Sequence, residues 1–200
     1  MGNKNHYKYS WIEISEGEIE LTIPDEIHNL LTRAINHYIS KFKHQQVQKL
    51  LQKIREEMIR GGGIKPLLSL HVPLIYILNV APEEKDLLKQ LAIKLKEIAE
   101  NDTLKIYLTN AVIQPQIVNL LYTIRYGFLG LKKASHANIY YYNNSHILFE
   151  AFANEQGEFT LTLPKGVKYK LYIRYKNYYK LVKDNAKENN NITIKLQKIK

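Results

Sequence analysis

The strongest constraint on the fold is a strict alternation of apolar and polar residues between Glu158 and Lys176. Every second residue is apolar from Glu158 to Leu163, and the alternation resumes from Lys168 to Lys176. A period of two is typical of a strand with one buried and one exposed face. Pro164-Lys165-Gly166 separates the two runs, with a proline that ends strand pairing and a glycine that tolerates positive φ. The pattern predicts two strands joined as a hairpin.

The second of these strands also carries a row of cationic side chains. With Tyr169, Leu171 and Ile173 directed inward, the outward positions are those of a basic ladder: Lys168, Lys170, Tyr172, Arg174 and Lys176. Neighbours at i and i+2 lie about 6.8 Å apart, twice the rise per residue of a strand. A ladder of this pitch can hold several cations against an extended polyanion, with Tyr172 as a stacking surface. These five residues are the candidate nucleic-acid or anion-binding site.

The flanks of this region contain further motifs, and together they resemble a known family. Ala137–Tyr141 reads ANIYY, Asn154–Phe159 reads NEQGEF, Leu163–Gly166 reads LPKG, and a closing strand NITIKL follows at Asn191–Leu196. The region is similar to the carboxypeptidase-regulatory-like, or transthyretin-like, β-sandwich over roughly 70 of the 200 residues. The resemblance implies a small antiparallel sandwich that is a non-catalytic accessory or structural module.

The net charge of +10 is unevenly distributed along the chain. From Trp11 to Glu26 there are six acids and no Lys or Arg, whereas Lys165–Lys200 holds eleven bases against Asp184 and Glu188. Such a basic segment is either a solvated surface or a docking site for an anionic partner, with nucleic acid as the first candidate. Glu18 and Glu20 share the i, i+2 pitch of the basic ladder, which predicts that the acidic and basic strands meet, either within one chain or between neighbouring molecules as self-association.

Several classes of function are disfavoured by composition. The chain has no cysteine, so disulfides, thiolate metal sites and thiol catalysis are excluded. His28, His37 and His44 are spaced too widely along a helical segment to chelate a metal, and no cofactor motif is present. The N-terminus lacks the apolar core of a signal peptide, and the longest apolar run, Leu67–Val80, is too short and interrupted to span a membrane. A cytoplasmic or virion protein is expected.

The first half of the chain predicts a hairpin followed by helix. Tyr7–Ile12 and Glu18–Ile23 alternate around Ser15-Glu16-Gly17, which is typical of two strands and a turn. Pro24-Asp25-Glu26 begins a helix whose apolar stripe continues to Met58, as one helix of about 36 residues or as two with a break near His44. Three glycines end it at positions 61–63.

The middle of the chain predicts a βαβα unit. Pro73–Val80 is almost continuously apolar, like a strand covered on both faces, and Leu104–Leu108 forms a second such segment. A helix opens at Ala81–Glu84, and another covers Pro115–Ile124 until Gly127. In such a unit a ligand binds past the strand ends, which gives one candidate ligand loop: Asn79, Glu83, Glu84, Thr109 and Asn110.

A different division of the same segment predicts a winged helix from Leu87 to Tyr142. Pro115–Tyr126 would then be the recognition helix and Leu129–Tyr142 the wing. Arg125 is the one base on that helix, which is poor for a helix that lies in a DNA groove.

The sequence as a whole predicts an α+β protein of two domains. Residues 1–127 form an α/β domain with the hairpin, the long helix and the βαβα unit, and residues 128–200 form the transthyretin-like sandwich. The function expected is non-enzymatic binding or assembly, with the basic sandwich docking an anionic partner. The alternatives are an enzyme with its site at the ends of the βαβα strands, and a winged-helix DNA-binding protein.

Overall fold

A computed structural model describes residues 23–61 and 63–200 of the chain, together with the backbone of residues 6–8 and 13–15. These residues form an α+β fold with helices in the N-terminal part and strands in the C-terminal part, which confirms the predicted class. The chain divides into two compact units, Met1–Gln116 and Ile117–Lys200.

The first unit is mostly helical. Two short strands, β1 (His6–Lys8) and β2 (Glu13–Ser15), pair antiparallel with Tyr7 opposite Ile14. The predicted second strand, Glu18–Ile23, lies outside the described residues except for Ile23. Five helices follow: α1 (Asp25–Ile39), α2 (Gln45–Gly61), α3 (His71–Val80), α4 (Lys85–Ile98) and α5 (Asp102–Leu108). Short 3-10 turns cover Lys65–Ser69 and Pro82–Glu84, and a π turn covers Thr109–Ile113.

The apolar stripe that begins at Asp25 belongs to two helices. The chain leaves helical geometry after Ile39 and resumes it at Gln45, so the break falls near His44. Residues of the stripe on both helices are buried in one apolar core, including Leu31 and Ile35 on α1 and Leu51 and Met58 on α2. The core is completed by α3, α4 and α5.

Two segments predicted as strands are helices. Pro73–Val80 lies in α3, where Pro73, Leu74, Ile75 and Ile77 are all buried. A short, continuously apolar run has no period, and it fits a helix that is covered on several sides as well as a strand. Leu104–Leu108 lies in α5, with Leu104, Tyr107 and Leu108 buried at helical spacing. The Oδ1 of Asn101 accepts a hydrogen bond from the Leu104 N–H at 3.0 Å, as an N-cap does.

The segment predicted as the last helix of the unit is a strand, β3 (Ile117–Tyr126). Its residues alternate between buried and less buried positions, with Val118, Leu120, Tyr122 and Ile124 inside. The βαβα unit is therefore wrong, and so is the winged helix, because its recognition helix is β3. The division between the units falls before β3 rather than after it at Gly127.

The second unit consists of two sheets. Its strands after β3 are β4 (Lys132–Lys133), β5 (Asn138–Asn143), β6 (His146–Phe152), β7 (Glu158–Pro164), β8 (Lys168–Tyr175), β9 (Tyr178–Asn185), β10 (Asn190–Lys195) and β11 (Gln197–Lys198). In the smaller sheet, β3 pairs parallel with β10 and antiparallel with β4 and β7. The larger sheet has the order β11-β9-β8-β5-β6, with antiparallel pairs throughout.

The apolar faces of the two sheets share one buried core. Leu120 and Tyr122 of the smaller sheet and Leu171 and Ile173 of the larger sheet are at most 2% exposed.

The predicted strands at Glu158–Leu163 and Lys168–Lys176 are present as β7 and β8, but the predicted hairpin between them is wrong. β7 pairs with β3 and β8 pairs with β5 and β9, so the chain crosses from one sheet to the other at Pro164-Lys165-Gly166. Alternation indicates which residues face the core but not which strands pair. β7 and β8 both face the core, one from each sheet.

Among the helices that the structure describes, none is long and apolar enough to cross a membrane.

Candidate nucleic-acid interface

The predicted basic ladder lies on β8, which is an inner strand of the larger sheet. Tyr169, Leu171 and Ile173 point into the sandwich and are buried. The alternate side chains form the outward face of the strand: Lys168, Lys170, Tyr172 and Arg174. Because β8 has a neighbour on each edge, these four side chains lie within a surface several strands wide.

Lys176 is not part of the ladder. β8 ends at Tyr175, and Lys176 occupies the turn before β9 with a left-handed φ of 51°. Its Nζ lies 5.2 Å from the centroid of the Tyr175 ring, and that ring lies 4.8 Å from the ring of Tyr126 in the smaller sheet. The change of backbone conformation at the turn therefore takes this cation away from the outward face of β8.

The neighbouring strands add aromatic and basic residues to the same face. Lys170 is opposite Tyr142 on β5 and opposite Lys183 on β9. Tyr172 is opposite Tyr140, and Arg174 is opposite Tyr179. We call this surface the basic tyrosine face: Tyr140, Tyr142, Lys168, Lys170, Tyr172, Arg174, Tyr179 and Lys183.

Three of the tyrosines form a row across the sheet. The ring centroids of Tyr140 and Tyr172 are 6.2 Å apart with planes inclined by 33°, and those of Tyr172 and Tyr179 are 6.1 Å apart with planes inclined by 34°. All three side chains are partly exposed. The row presents aromatic surface on three adjacent strands, β5, β8 and β9.

The cations of the face lie around this row. Lys170 has its Nζ 5.4 Å from the centroid of the Tyr142 ring, a cation–π contact. Lys170 is also directly opposite Lys183, and like charges at opposed positions of a sheet repel each other. An anion bound between the two ammonium groups would remove this repulsion.

Negative charge is scarce on the same face. Within the described residues of β5, β6, β8 and β9, Glu150 is the one acid at an outward position. Its Oε1 accepts a hydrogen bond from the Nδ2 of Asn138 at 2.8 Å. The face therefore carries four cations and a single carboxylate. That carboxylate, Glu150, is on the edge strand β6 and is hydrogen-bonded to the Asn138 amide.

The outer face of the smaller sheet is different in character. Its outward positions on β3 and β7 include four short polar side chains around Leu121: Asn119, Thr123, Thr160 and Thr162. The Oγ1 of Thr162 donates a hydrogen bond to the Oδ1 of Asn119 at 2.9 Å. The row of three partly exposed tyrosine rings with cations on both sides is a feature of the outer face of the larger sheet.

The predicted ligand loop depends on the ends of two parallel strands, and the structure has helices at both segments. Asn79 donates from Nδ2 to the Ile75 carbonyl oxygen at 2.8 Å, and Thr109 donates from Oγ1 to the Lys105 carbonyl oxygen at 2.8 Å. Both side chains thus bond to carbonyls one turn earlier in their own helical segments, and Asn110 is exposed. The two segments predicted as parallel strands are helices, so the βαβα arrangement on which the predicted enzyme site depends is wrong.

Glu83 and Glu84 instead join the start of α4 to the loop before α2. The Oε1 of Glu84, a residue that is 5% exposed, accepts hydrogen bonds from the backbone N–H groups of Lys43 and His44. The Oε1 of the exposed Glu83 lies 2.6 Å from the Nε2 of His44. A hydrogen bond from its own backbone N–H, together with His44, lowers the pKa of the Glu83 carboxyl. These contacts fix the break between α1 and α2, which is a structural role.

Within the part of the chain that the structure describes, no group of three or more His, Asp or Glu side chains is arranged to hold a metal ion.

Comparison with known proteins finds no protein-family model that matches the chain and no curated protein that is similar to it. The resemblance to the transthyretin-like family stays a prediction. The function is therefore inferred from the chemistry of the basic tyrosine face.

Proposed function

We propose that the protein is a non-enzymatic binding protein whose basic tyrosine face binds single-stranded nucleic acid. The observation that carries the proposal is the row of Tyr140, Tyr172 and Tyr179 with lysine and arginine on both sides of it. Proteins that bind single strands combine aromatic side chains, on which bases stack, with cations that follow the phosphates. Both components are present on one exposed surface of this unit.

The row of rings favours a single strand over a duplex. In a duplex the faces of the bases are covered by neighbouring bases, and only the phosphates and base edges are accessible. In a single strand the base faces are free to stack on aromatic side chains. Because every base has an aromatic face, weak sequence preference is expected.

The cations define where the phosphates would lie. Lys168, Lys170 and Lys183 lie toward the start of β8, and Arg174 lies on the other side of Tyr172. A strand with bases over the tyrosine row would place its backbone along the lysine side. If all four cations contact phosphates, the log–log salt slope of binding would be about −2.8, from about 0.7 per contact for single strands.

Fluorescence anisotropy of labelled oligonucleotides tests this proposal. The full chain is titrated into oligothymidylate, oligouridylate and a duplex of the same length, at a series of salt concentrations. We expect tighter binding of the single strands and a linear fall of log affinity with log salt. A wild-type protein that binds neither single strand at low salt, or that prefers the duplex, contradicts the proposal.

Two sets of variants separate stacking from charge. Tyr172→Leu should weaken binding about 5- to 150-fold, because base–ring stacking is worth about 1–3 kcal/mol. Tyr172→Phe keeps the ring and should bind nearly as wild type.

Lys170→Gln with Lys183→Gln should reduce the salt slope by about 1.4. The matched control is Lys89→Gln with Lys94→Gln, which removes two exposed cations from α4 and should leave the slope unchanged. Equal effects of the two double variants would mean that binding follows net charge alone.

A further inference from the structure

The loop between β3 and β4 exposes three large apolar side chains at its tip. Phe128 is 80% exposed, Leu129 is 69% exposed and Leu131 is 72% exposed. They are close in sequence, on two overlapping turns that are closed by hydrogen bonds from the Gly130 N–H to the Gly127 carbonyl and from the Leu131 N–H to the Phe128 carbonyl. Single exposed apolar residues are common on protein surfaces, but a contiguous cluster marks a contact with a partner or a membrane.

The backbone of the loop holds the cluster outward in an unusual conformation. Gly127 and Gly130 have φ values of 81° and 64°, and Leu129 between them has a φ of 53°. A left-handed φ is readily adopted by glycine and is disfavoured for a branched side chain such as leucine. Since the Leu129 side chain is mostly exposed, burial within the unit does not compensate for this conformation. The stability of the sandwich therefore does not account for a leucine at this position.

The base of the loop is aromatic and cationic. The Nζ of Lys132 lies 5.8 Å from the centroid of the partly exposed Tyr126 ring, and Lys133 is exposed beside it. The aliphatic part of Lys195 packs next to Gly130, so that a Cβ at Gly130 would lie 3.5 Å from its Cδ. Exposed apolar side chains next to tyrosine and lysine are typical of segments that lie in a membrane interface.

We propose that the loop of residues 127–131 inserts Phe128, Leu129 and Leu131 into the surface of an anionic lipid bilayer. The three side chains would enter the boundary between headgroups and acyl chains, and Lys132, Lys133 and Lys195 would remain at the level of the negatively charged headgroups. A bilayer is favoured over a protein pocket because Lys132 and Lys133 follow the apolar tip directly and Lys195 packs beside Gly130, which matches an apolar layer bounded by anionic groups. This inference uses no residue of the basic tyrosine face and does not depend on nucleic-acid binding.

Vesicle flotation with the full chain provides the first test. Vesicles of phosphatidylcholine alone are compared with vesicles that contain phosphatidylserine. We expect binding to the anionic vesicles and little binding to the neutral ones. The variant Phe128→Ser, Leu129→Ser, Leu131→Ser should lower the partition coefficient by more than about tenfold, because it removes most of the apolar surface to be buried. The control Ile59→Ser with Ile106→Ser, which alters two exposed isoleucines of the helical unit, should bind as wild type.

A fluorescence measurement reports insertion directly. Trp11 is the one tryptophan of the chain, so Phe128→Trp in a Trp11→Phe background places a single reporter at the tip. We expect a blue shift on addition of anionic vesicles and quenching by lipids brominated on the acyl chains. Binding that salt abolishes and that the triple serine variant retains would show electrostatic adsorption alone and would overturn the proposal. An absence of blue shift, or an absence of binding, would also overturn it.

Discussion

The hydroxyl groups of Tyr122 on β3 and Tyr169 on β8 form a hydrogen bond inside the sandwich and thereby link its two sheets. Tyr122 is fully buried and Tyr169 is almost so. Burial raises the pKa of both hydroxyl groups above the ordinary value, and the Tyr169 contact and nearby Asp184 contribute to the shift at Tyr122. Each hydroxyl is thus a polar group in an apolar core whose partner comes from the opposite sheet.

Removal of one of these hydroxyls should cost more than removal of both. Tyr122→Phe leaves the Tyr169 hydroxyl buried without its partner, so the free energy of unfolding should fall by about 1–3 kcal/mol. Tyr122→Phe with Tyr169→Phe removes both polar groups and should recover part of that loss. Urea unfolding followed by circular dichroism measures these two variants and the single variant Tyr169→Phe. Additive effects of the two single changes would contradict the coupling.

The stability of the helical unit should depend on His71 in mildly acidic solution. Burial lowers the pKa of the His71 imidazole to about 4, although its contact with the Leu68 carbonyl opposes the shift. The unfolded chain, with a pKa near 6.5, binds a proton more readily than the folded chain between these two values. The contribution of His71 is therefore fully present above pH 6.5 and declines toward pH 4, by up to about 3 kcal/mol at ~1.4 kcal/mol per pKa unit.

The pH dependence of unfolding measures this contribution. Wild type and His71→Gln are unfolded by urea at several pH values across that window. The glutamine variant should lose most of the dependence, even if its stability at neutral pH is lower. Identical slopes for the two proteins would exclude His71 as the responsible group.

Gly157 should be much harder to replace than Gly130 in the second unit. Its φ is +73°, and a Cβ there would lie 2.7 Å from the Ile124 carbonyl oxygen, which is backbone and cannot move aside. Gly130 has a similar φ of +64°, but a Cβ there would make only ordinary contacts at 3.5 Å or more. Gly130→Ala should therefore cost about 1 kcal/mol for its backbone conformation, and Gly157→Ala should cost several times as much. Thermal unfolding of both variants compares them, and equal losses would refute the steric argument.

The two adjacent carboxylates at the start of α4 should differ in their effect on stability. Glu84→Ala removes the acceptor for the Lys43 and His44 N–H groups at a buried site and should lower the free energy of unfolding by about 1–3 kcal/mol. Glu83→Ala removes an exposed contact with His44, which solvent screens, and should therefore cost less than Glu84→Ala. Chemical unfolding of the two variants provides the comparison. A larger loss for Glu83→Ala would reverse the assignment of roles.

The boundary between the units predicts which fragments fold. A fragment of residues 117–200 contains β3 and both of its long partners, β7 and β10. A fragment that begins at residue 128 lacks β3, so β7 and β10 lose the strand that joins them. The longer fragment should unfold cooperatively and the shorter one should not, as judged by thermal melts of the purified fragments. A cooperative transition in the shorter fragment would mean that β3 is dispensable.

The local pattern of the sequence predicts the strands of the second unit well and their partners poorly. The alternation of Phe159, Leu161 and Leu163 and that of Tyr169, Leu171 and Ile173 fix which side chains are inside, and the structure confirms them as buried. Pairing is set by residues far along the chain, so the local alternation does not predict that β7 pairs with β3 and that β8 pairs with β5 and β9. For β3, the local pattern does not identify the strand itself. Its alternation of Val118, Leu120, Tyr122 and Ile124 is visible in the sequence, but neighbouring Ile117 and Leu121 also fit a helical stripe.

The same limit applies to the basic tyrosine face. Lys168, Lys170, Tyr172 and Arg174 follow from the alternation of β8 alone. Tyr140, Tyr142, Tyr179 and Lys183 join them because of the register of β5 and β9, which no local pattern contains. The run Asn138–Asn143 does carry a signal, since its alternation places Tyr141 inside and Tyr140 and Tyr142 outside. In the helical unit, the cap at Asn101 was the feature that distinguishes α5 from a strand.

The parallel pairing of β3 with β10 has a consequence for synthesis of the protein. β3 ends at Tyr126, and its partner ends at Lys195, 69 residues later. At about 5–20 residues per second, the growing chain exposes an unsatisfied edge of β3 for roughly 3–14 s. An apolar strand with an open edge can pair with another chain. On a polysome, where several copies are at this stage together, the interval before β10 is made is therefore the period when this protein is most prone to aggregate and when a chaperone would act on it.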